Sequence, residues 1–260
     1  MSRYAATFDR LRTRGEGALG AFVMLGDPAN GPDVLDRLVD AGADLLEVGI
    51  PFSDPVADGP TIQAAADRAL AAGTRPEDCF RLLGRFRSRH PDIPVGILTY
   101  ANLVLAPGRD AFYAAAARAG VDSVLVADVP AMEAEPFAAA ARAHGLDHVM
   151  IAATNTPEAT LAQIAALGAG YTYCVARAGV TGAETAMRLD HADLFAALAA
   201  AGAPPPVLGF GISTPIHVRQ ALASGAAGII CGSAIVQRLA AGEDVGAFVR
   251  DLKRATTSPG

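Results

Sequence analysis

The chain has 260 residues, of which 52% are hydrophobic and 18% charged, so it can bury a sizeable core. A net charge of −6 and the absence of a long basic run argue against nucleic acid and anionic membrane surfaces as partners. The charged N-terminus does not predict a signal peptide. Three widely spaced cysteines predict neither a disulfide framework nor a zinc site, which fits a cytoplasmic protein.

Apolar runs of strand length alternate with amphipathic segments along the whole chain. The predicted strands span residues 21–25, 45–50, 94–99, 122–127, 148–152, 171–175, 206–209 and 227–231. The predicted helices span 4–14, 33–41, 60–70, 76–89, 110–119, 133–144, 157–167, 191–201, 215–224, 233–240 and 245–254. Continuous apolar strands between helices indicate a parallel sheet covered on its outer face. Eight such units predict an α/β fold, a single (β/α)8 TIM-barrel domain over 1–260, with an open doubly wound sheet as the alternative.

The most informative stretch joins the second strand to the helix that begins at Pro60. Glu47 lies within the apolar strand, and the loop that follows carries Asp54, Pro55 and Asp58. Barrel chemistry occurs where strands end, so the stretch would hold Glu47 and Asp58 at one mouth for acid–base chemistry on a small molecule.

Each of these carboxylates also has a structural interpretation. Glu47 fits a buried hydrogen-bond network, since a carboxylate between Leu46 and Val48 must be hydrogen-bonded or protonated. Asp58 fits a cap of the helix that begins at Pro60, and Asp54 before a proline fits a turn. Sequence spacing alone leaves these alternatives open.

Glycine-rich loops after the last strands predict a phosphate site. The loop after the seventh strand carries Gly209, Phe210 and Gly211, and the eighth strand is followed by Gly232 and Ser233. Barrels often bind phosphate at this position with backbone N–H groups and a helix N-terminus. The loop at 179–182 is expected to add further donors. The only lysine, Lys253, lies in the last predicted helix and far from any strand end, which argues against Schiff-base chemistry. No metal site is predicted.

At these residues the sequence resembles the tryptophan synthase alpha subunit family. The most specific agreement is LEVGIPFSDPVADGPTIQ at 46–63. Shorter matching segments follow one another along the chain: LGDP at 25–28, YAN at 100–102, VDSVLVADVP at 121–130, GVTG at 179–182, GFGIS at 209–213 and GSAIV at 232–236. The resemblance extends from about residue 4 to 236. It implies retro-aldol cleavage of indole-3-glycerol phosphate to indole and glyceraldehyde 3-phosphate, without a cofactor in this chain.

The resemblance also implies roles for individual residues. Glu47 matches the principal acid–base residue, and Asp58 matches the carboxylate that holds the indole N–H. Tyr173 matches a pocket tyrosine near the catalytic glutamate, and Thr181 belongs to a mobile loop that closes over the site. The remaining matches are apolar pocket positions and the phosphate cradle: Phe22, Leu98, Leu125, Ile151, Gly182, Gly211, Gly232 and Ser233. Departures from the usual family pattern occur at Met24, Ala153 and Ala176.

The resemblance further implies a pyridoxal-phosphate beta subunit that receives indole, in an alpha2-beta2 heterotetramer for L-tryptophan biosynthesis. Asp54 and Pro55 would then lie at the interface with that partner. Two alternatives remain from the sequence. One is a stand-alone indole-3-glycerol phosphate lyase with the same catalytic residues, and the other is a non-catalytic, allosteric barrel subunit.

Overall fold

The computed structural model describes residues 2–175, 191–209 and 211–257. Within them lie strands β1 (Ala18–Met24), β2 (Leu45–Gly49), β3 (Val95–Thr99), β4 (Ser123–Val126), β5 (Asp147–His148), β6 (Met150–Ala153), β7 (Thr172–Val175), β8 (Pro206–Leu208) and β9 (Gly228–Cys231). All pairings between these strands are parallel, in the order β5-β4-β3-β2-β1-β9-β8-β7-β6. The two ends of that order are consecutive in the chain, so the sheet is nearly closed and the predicted (β/α)8 TIM barrel is confirmed.

The helices lie between and after the strands. They are α1 (Arg3–Thr13), α2 (Val34–Asp40), α3 (Pro60–Ala71), α4 (Pro76–Arg89), α5 (Ala101–Leu105), α6 (Arg109–Arg118), α7 (Glu135–Ala143), α8 (Glu158–Leu167), α9 (Ala192–Ala200), α10 (Pro215–Ala223), α11 (Ser233–Ala240) and α12 (Val245–Arg254). Helix α5 was not predicted, because its five residues are too few to show a helical period. None of the helices in the described ranges is long and apolar enough to cross a membrane.

Two strand predictions need correction. The predicted strand at 148–152 is divided, because β5 pairs with β4 whereas β6 pairs with β7. The first strand begins at Ala18 rather than at residue 21, so Gly20 belongs to it. A Cβ atom at Gly20 would lie 2.5 Å from the Ile230 side chain and 2.8 Å from that of Leu45, so neighbouring strands occupy the space of its missing side chain.

Side chains alternate between two apolar layers, as the strand parity of β2 predicts. Leu46 and Val48 point outward into the core between the sheet and the helices. Leu45 belongs to the smaller cluster inside the barrel. Glu47 shares the parity of Leu45 and therefore faces the interior.

The amino-terminal end of the barrel is closed by structural contacts. Tyr4 of α1 is fully buried, and its Oη lies 2.9 Å from Ser123 Oγ at the start of β4. Lys253 of α12 donates to Asp44 Oδ2 at 2.8 Å and to Glu16 Oε2 at 3.0 Å. Polar groups at this end of a barrel typically serve stability, which leaves the opposite mouth for chemistry.

Candidate active site

Glu47 is a buried carboxyl group with one hydrogen-bonded oxygen. Its residue is 1% exposed, and Tyr171 Oη donates to Oε1 at 2.7 Å. Oε2 has no hydrogen-bond partner among the described residues. Burial raises the pKa of Glu47 to about 7, opposed by the bond from Tyr171 and reinforced by the charge of Asp58. A purely structural glutamate is expected to satisfy both oxygens, so the half-satisfied carboxyl supports the functional interpretation.

Asp58 is the second buried carboxyl group. Burial raises its pKa to about 6, although a hydrogen bond from Tyr100 favours the ionised form. The residue that caps α3 is Gly59, and the helix start has no side-chain cap. The capping interpretation of Asp58 is therefore wrong.

The loop between the two carboxylates combines one packed and one exposed part. Phe52 stacks on Tyr100 with ring centroids 5.3 Å apart. Asp54 is exposed, and its carbonyl oxygen accepts from the N–H of Val56 at 2.9 Å, as a turn former would. Pro55, the residue after Asp54, is half-buried.

The predicted pocket residues meet inside the barrel. The strand registers pair Phe22 with Glu47, Leu98 with Leu125 and Ile151 with Tyr173. The pocket side chains in these pairs belong to the interior cluster or pack against it: Phe22, Leu98, Leu125, Ile151 and Tyr173. The structure therefore brings an apolar surface to the carboxylates, as an indole ring requires.

Two tyrosines, Tyr173 on β7 and Tyr171 just before it, lie near the carboxylates, where the sequence analysis expected Tyr173 alone. Tyr173 Oη donates to the carbonyl oxygen of Gly209 at 2.7 Å. Burial raises the pKa of Tyr173, and the charges of Glu47 and Asp58 add to that effect, so Tyr173 faces both carboxylates. The hydrogen bond to Glu47 comes instead from Tyr171, which the sequence analysis missed. The available signal was parity, since residues 171 and 173 point to the same side of a strand.

The phosphate-side glycines lie at the ends of the adjacent strands β8 and β9. A Cβ atom at Gly209 would lie 2.0 Å from the ring of Tyr173, so this close approach requires glycine. Gly211 has φ +71°, which disfavours other residues. Gly232 precedes Ser233, the first residue of α11, and a Cβ there would lie 3.6 Å from Phe22. Thr181, Gly182 and Phe210 lie outside the described residues.

Met24 reduces the space inside the barrel beside the pocket. Its Cε and Sδ atoms lie 2.8 and 2.9 Å from the position that a Cβ at Gly49 would take. The ring of Phe22 approaches the same position to 3.0 Å. Gly49 therefore makes room for both side chains at the end of β2.

The three cysteines lie in the core outside the barrel rather than in its interior. Cys79, Cys174 and Cys231 are buried in the outer core, and burial raises the pKa of each thiol to about 12. They are structural side chains, as the apolar runs around Cys174 and Cys231 predict. The cytoplasmic location stays a prediction.

Comparison with known proteins agrees with this geometry. The family model described as "Tryptophan synthase alpha chain" matches residues 8–257. The chain belongs to the tryptophan synthase alpha chain family. The alpha chain of Shewanella oneidensis is 51% identical over 267 residues, covering 98% of this chain and 95% of the relative. That of Klebsiella pneumoniae is 52% identical over 268 residues, covering 98% and 99%.

Solved structures of tryptophan synthase alpha chains share the fold. The alpha subunit from Legionella pneumophila has a TM-score of 0.88 at 30% identity and covers 98% of each chain. A chain of Mycobacterium tuberculosis tryptophan synthase also has a TM-score of 0.88 at 30% identity and covers 99% of each chain. Membership confirms the predicted lyase of tryptophan biosynthesis and indicates a tryptophan synthase complex. Nothing in the comparisons favours the stand-alone lyase or the non-catalytic subunit.

Proposed function

We propose that Glu47 and Asp58 cleave indole-3-glycerol phosphate into indole and glyceraldehyde 3-phosphate at the carboxyl end of the barrel. The observation that carries this assignment is the pair of buried carboxyl groups whose pKa values are raised to about 7 and about 6. A group whose pKa lies near the operating pH both accepts and releases protons efficiently.

The bond changes of the retro-aldol reaction require two proton movements. Indole C3 gains a proton, and the bond between C3 and the glycerol chain breaks. The electrons of that bond return to the ring, while the glycerol hydroxyl loses its proton and becomes the aldehyde. Glu47 donates and accepts these protons through Oε2, the oxygen without a hydrogen bond among the described residues.

Asp58 has a different task, which is to stabilise charge. Protonation at C3 places positive charge on the ring nitrogen, and a carboxylate that accepts the N–H stabilises that charge. Above about pH 6 Asp58 is ionised and able to do so. Desolvation at this buried position strengthens the attraction.

We propose that the phosphate binds to backbone donors beside Gly211, Gly232 and Ser233. Ser233 opens α11, and a helix N-terminus favours an anion. Their position at the ends of β8 and β9 supports this site. The net charge of −6 gives no general attraction for an anionic substrate, so local donors must supply it.

Replacing Gly232 by valine is expected to raise the substrate KM about tenfold or more, with a smaller effect on kcat. A Cβ at this position meets only ordinary contacts at 3.6 Å from Phe22, so alanine is tolerated, whereas a branched side chain obstructs the approach of the phosphate. Steady-state indole release measures both constants. Gly84→Val is the control, since a Cβ there meets nothing within 4 Å. An unchanged KM in Gly232→Val contradicts the site.

We propose that the partner in the complex is a pyridoxal-phosphate beta subunit, in an alpha2-beta2 heterotetramer, which receives indole from this chain. The segments that follow β2, β3 and β4 expose apolar side chains: Val56 is 66%, Leu105 47% and Met132 76% exposed. The stacking of Phe52 on Tyr100 and the bond from the Ala101 N–H to Asp128 Oδ1 at 2.8 Å tie these loops together. The exposed apolar side chains of these segments, together with the exposed Asp54, support docking at this mouth.

Asp54→Ala is expected to keep the basal rate of indole release and to lose most of the acceleration by a beta subunit. Asp54 is exposed at the tip of the loop that ends in Asp58, so a partner that holds it orders the catalytic carboxylate. The ratio of rates with and without a beta subunit measures the effect. Asp40→Ala, an exposed aspartate at the end of α2, is the matched control. Full acceleration of Asp54→Ala contradicts the interface.

Indole release from indole-3-glycerol phosphate, measured with and without a beta subunit, tests the proposed function. A slow reaction that the partner accelerates is expected. A fast reaction that is indifferent to the partner supports the stand-alone lyase. Absence of turnover in both states supports the non-catalytic subunit and contradicts the assignment of Glu47 and Asp58.

A further inference from the structure

The interior side chains of four neighbouring strands form two rows, one above the other. The strand registers place Phe22, Glu47, Gly96 and Ser123 in a lower row on β1 to β4, and Met24, Gly49, Leu98 and Leu125 in an upper row. Each member of the upper row lies two residues closer to the carboxyl end of its strand, on the same side as the residue below it. Gly49 therefore lies directly above Glu47, and its missing side chain leaves a gap in the upper row.

The interior below Glu47 is filled by other side chains. A Cβ atom at Gly96 would lie 2.6 Å from Ser123 Oγ and 2.9 Å from Tyr4 Oη. Tyr171 Oη donates to Glu47 Oε1 at 2.7 Å, and both tyrosines are buried. A ring that reaches Glu47 must therefore approach from the carboxyl end of the barrel, past the upper row.

The gap at Gly49 is filled from β1 by the end of the Met24 side chain. Met24 Cε and Sδ lie 2.8 and 2.9 Å from the position of a Cβ at Gly49, and Phe22 Cζ lies 3.0 Å from it. Met24 is 3% exposed, and its carbonyl oxygen accepts from Asn30 Nδ2 at 2.6 Å, which holds the backbone at the end of β1. Methionine is a flexible side chain that fills irregular gaps and packs favourably against aromatic rings.

The open part of the interior lies on the other side of this gap. Leu98, the neighbour of Gly49 in the upper row, is half-buried, as are Ile151 on β6 and Tyr173 on β7. Interior side chains that keep part of their surface exposed border a space that a ligand can enter. Because Met24 is buried, its thioether forms the wall of that space on the side of β1.

We propose that Met24 is a specificity-determining residue of the indole pocket, whose thioether restricts the space above Glu47 to an unsubstituted indole ring. This inference rests on the proposed function, which places the indole ring against Glu47 and Asp58. Met24 takes no part in proton transfer, because a thioether carries no titratable proton. It acts by volume: a substituent on the ring edge that faces β1 meets Sδ or Cε, and displacing them disturbs the packing on Phe22.

The first test is Met24→Ala, which removes Sδ and Cε. The reaction runs in both directions on the same residues, so condensation with glyceraldehyde 3-phosphate is measured for indole and for 4-, 5-, 6- and 7-methylindole. The methylindole whose substituent points at β1 is expected to react poorly with the wild type. In Met24→Ala its kcat/KM relative to that of indole should rise about tenfold or more, which is the discrimination that one methyl group produces in an apolar pocket.

Met24→Val is the second variant, and it keeps the inference testable if Met24→Ala does not fold. Valine also lacks the terminal atoms that fill the gap, but its β-branched side chain suits a strand. Met150→Ala and Met150→Val are the matched controls, since Met150 is a buried methionine of β6 in the core outside the barrel. These two changes should lower Tm without changing the relative kcat/KM of any methylindole.

The outcomes separate this inference from the proposed function. A raised ratio for the same methylindole in both Met24 variants, and in neither Met150 variant, supports the role of Met24. Unchanged ratios at all four ring positions overturn it, and so does an equal loss with every indole alongside a lowered Tm. A wild type that accepts all four methylindoles as readily as indole also overturns it. A wild type that neither cleaves indole-3-glycerol phosphate nor condenses indole overturns the proposed function itself.

Discussion

Glu47→Gln is expected to reduce indole release by about 10²–10⁴-fold while substrate binding survives. The amide keeps the shape of the side chain and can still accept the hydrogen bond from Tyr171, which lies at 2.7 Å in the wild type. It cannot exchange protons, and general acid–base groups typically contribute a factor of this size. Single-turnover indole release and a separate measurement of substrate affinity distinguish chemistry from binding.

The same substitution should stabilise the fold at alkaline pH. The folded-state pKa of Glu47 is raised from 4.5 to about 7 by burial, so the stabilising contribution of the neutral carboxyl is complete below about pH 4.5 and is lost as the pH rises through about 7. Glutamine stays neutral, so the variant should gain up to about 3 kcal/mol over the wild type above that range. Thermal unfolding at several pH values measures the gain.

Glu16→Gln provides the control for the activity measurement. Glu16 is a partly buried carboxylate at the opposite end of the barrel, where its Oε2 lies 3.0 Å from Lys253 Nζ. Its replacement should leave indole release near the wild-type rate. Near-normal turnover of folded Glu47→Gln contradicts the assignment of Glu47.

Asp58→Asn is expected to lower kcat by about 10²–10³-fold, the size typical for loss of one group that stabilises charge in the transition state. The neutral amide keeps a hydrogen-bonding oxygen but cannot offset positive charge on the indole nitrogen. Because the pKa of Asp58 is raised to about 6, wild-type activity should also fall as the pH drops through that value. The pH dependence of kcat measures both effects.

Asp147→Asn is the matched control for Asp58→Asn. Burial likewise raises the pKa of Asp147, but the residue begins β5 at the amino end of the barrel. Its replacement should change stability rather than kcat. If Asp58→Asn changes only Tm as well, Asp58 is a structural residue and the proposed mechanism loses its second carboxylate.

The alternation of strands and helices, and the side of β2 on which Glu47 lies, were predictable from the sequence. Both depend on local periodicity: apolar runs bounded by glycine and proline mark the elements, and a period of two fixes which residues share a face. Glu47 and Asp58 were accessible for the same reason, since Glu47 lies within one recognisable strand and Asp58 lies in the loop that follows it. That residues 1–260 form a single domain stays a prediction.

Other features were decided only by the tertiary structure. Gly20 was outside the predicted first strand but belongs to β1, where Ile230 and Leu45 of neighbouring strands occupy the space of a side chain. The bond from Tyr171 to Glu47 joins β2 to the residue before β7, and these two strands are not neighbours in the sheet. These contacts join residues far apart in the chain.

The chemistry of the two carboxyl groups depends on such distant contacts as well. Their type and strand position were evident from the sequence, but their pKa values of about 7 and about 6 result from burial and from bonds given by Tyr171 and Tyr100. Spacing along the chain carries no information on desolvation, because desolvation depends on which other segments fold over a group. The sequence thus determined which residues are present at the mouth of the barrel, whereas the tertiary structure determined their protonation and orientation.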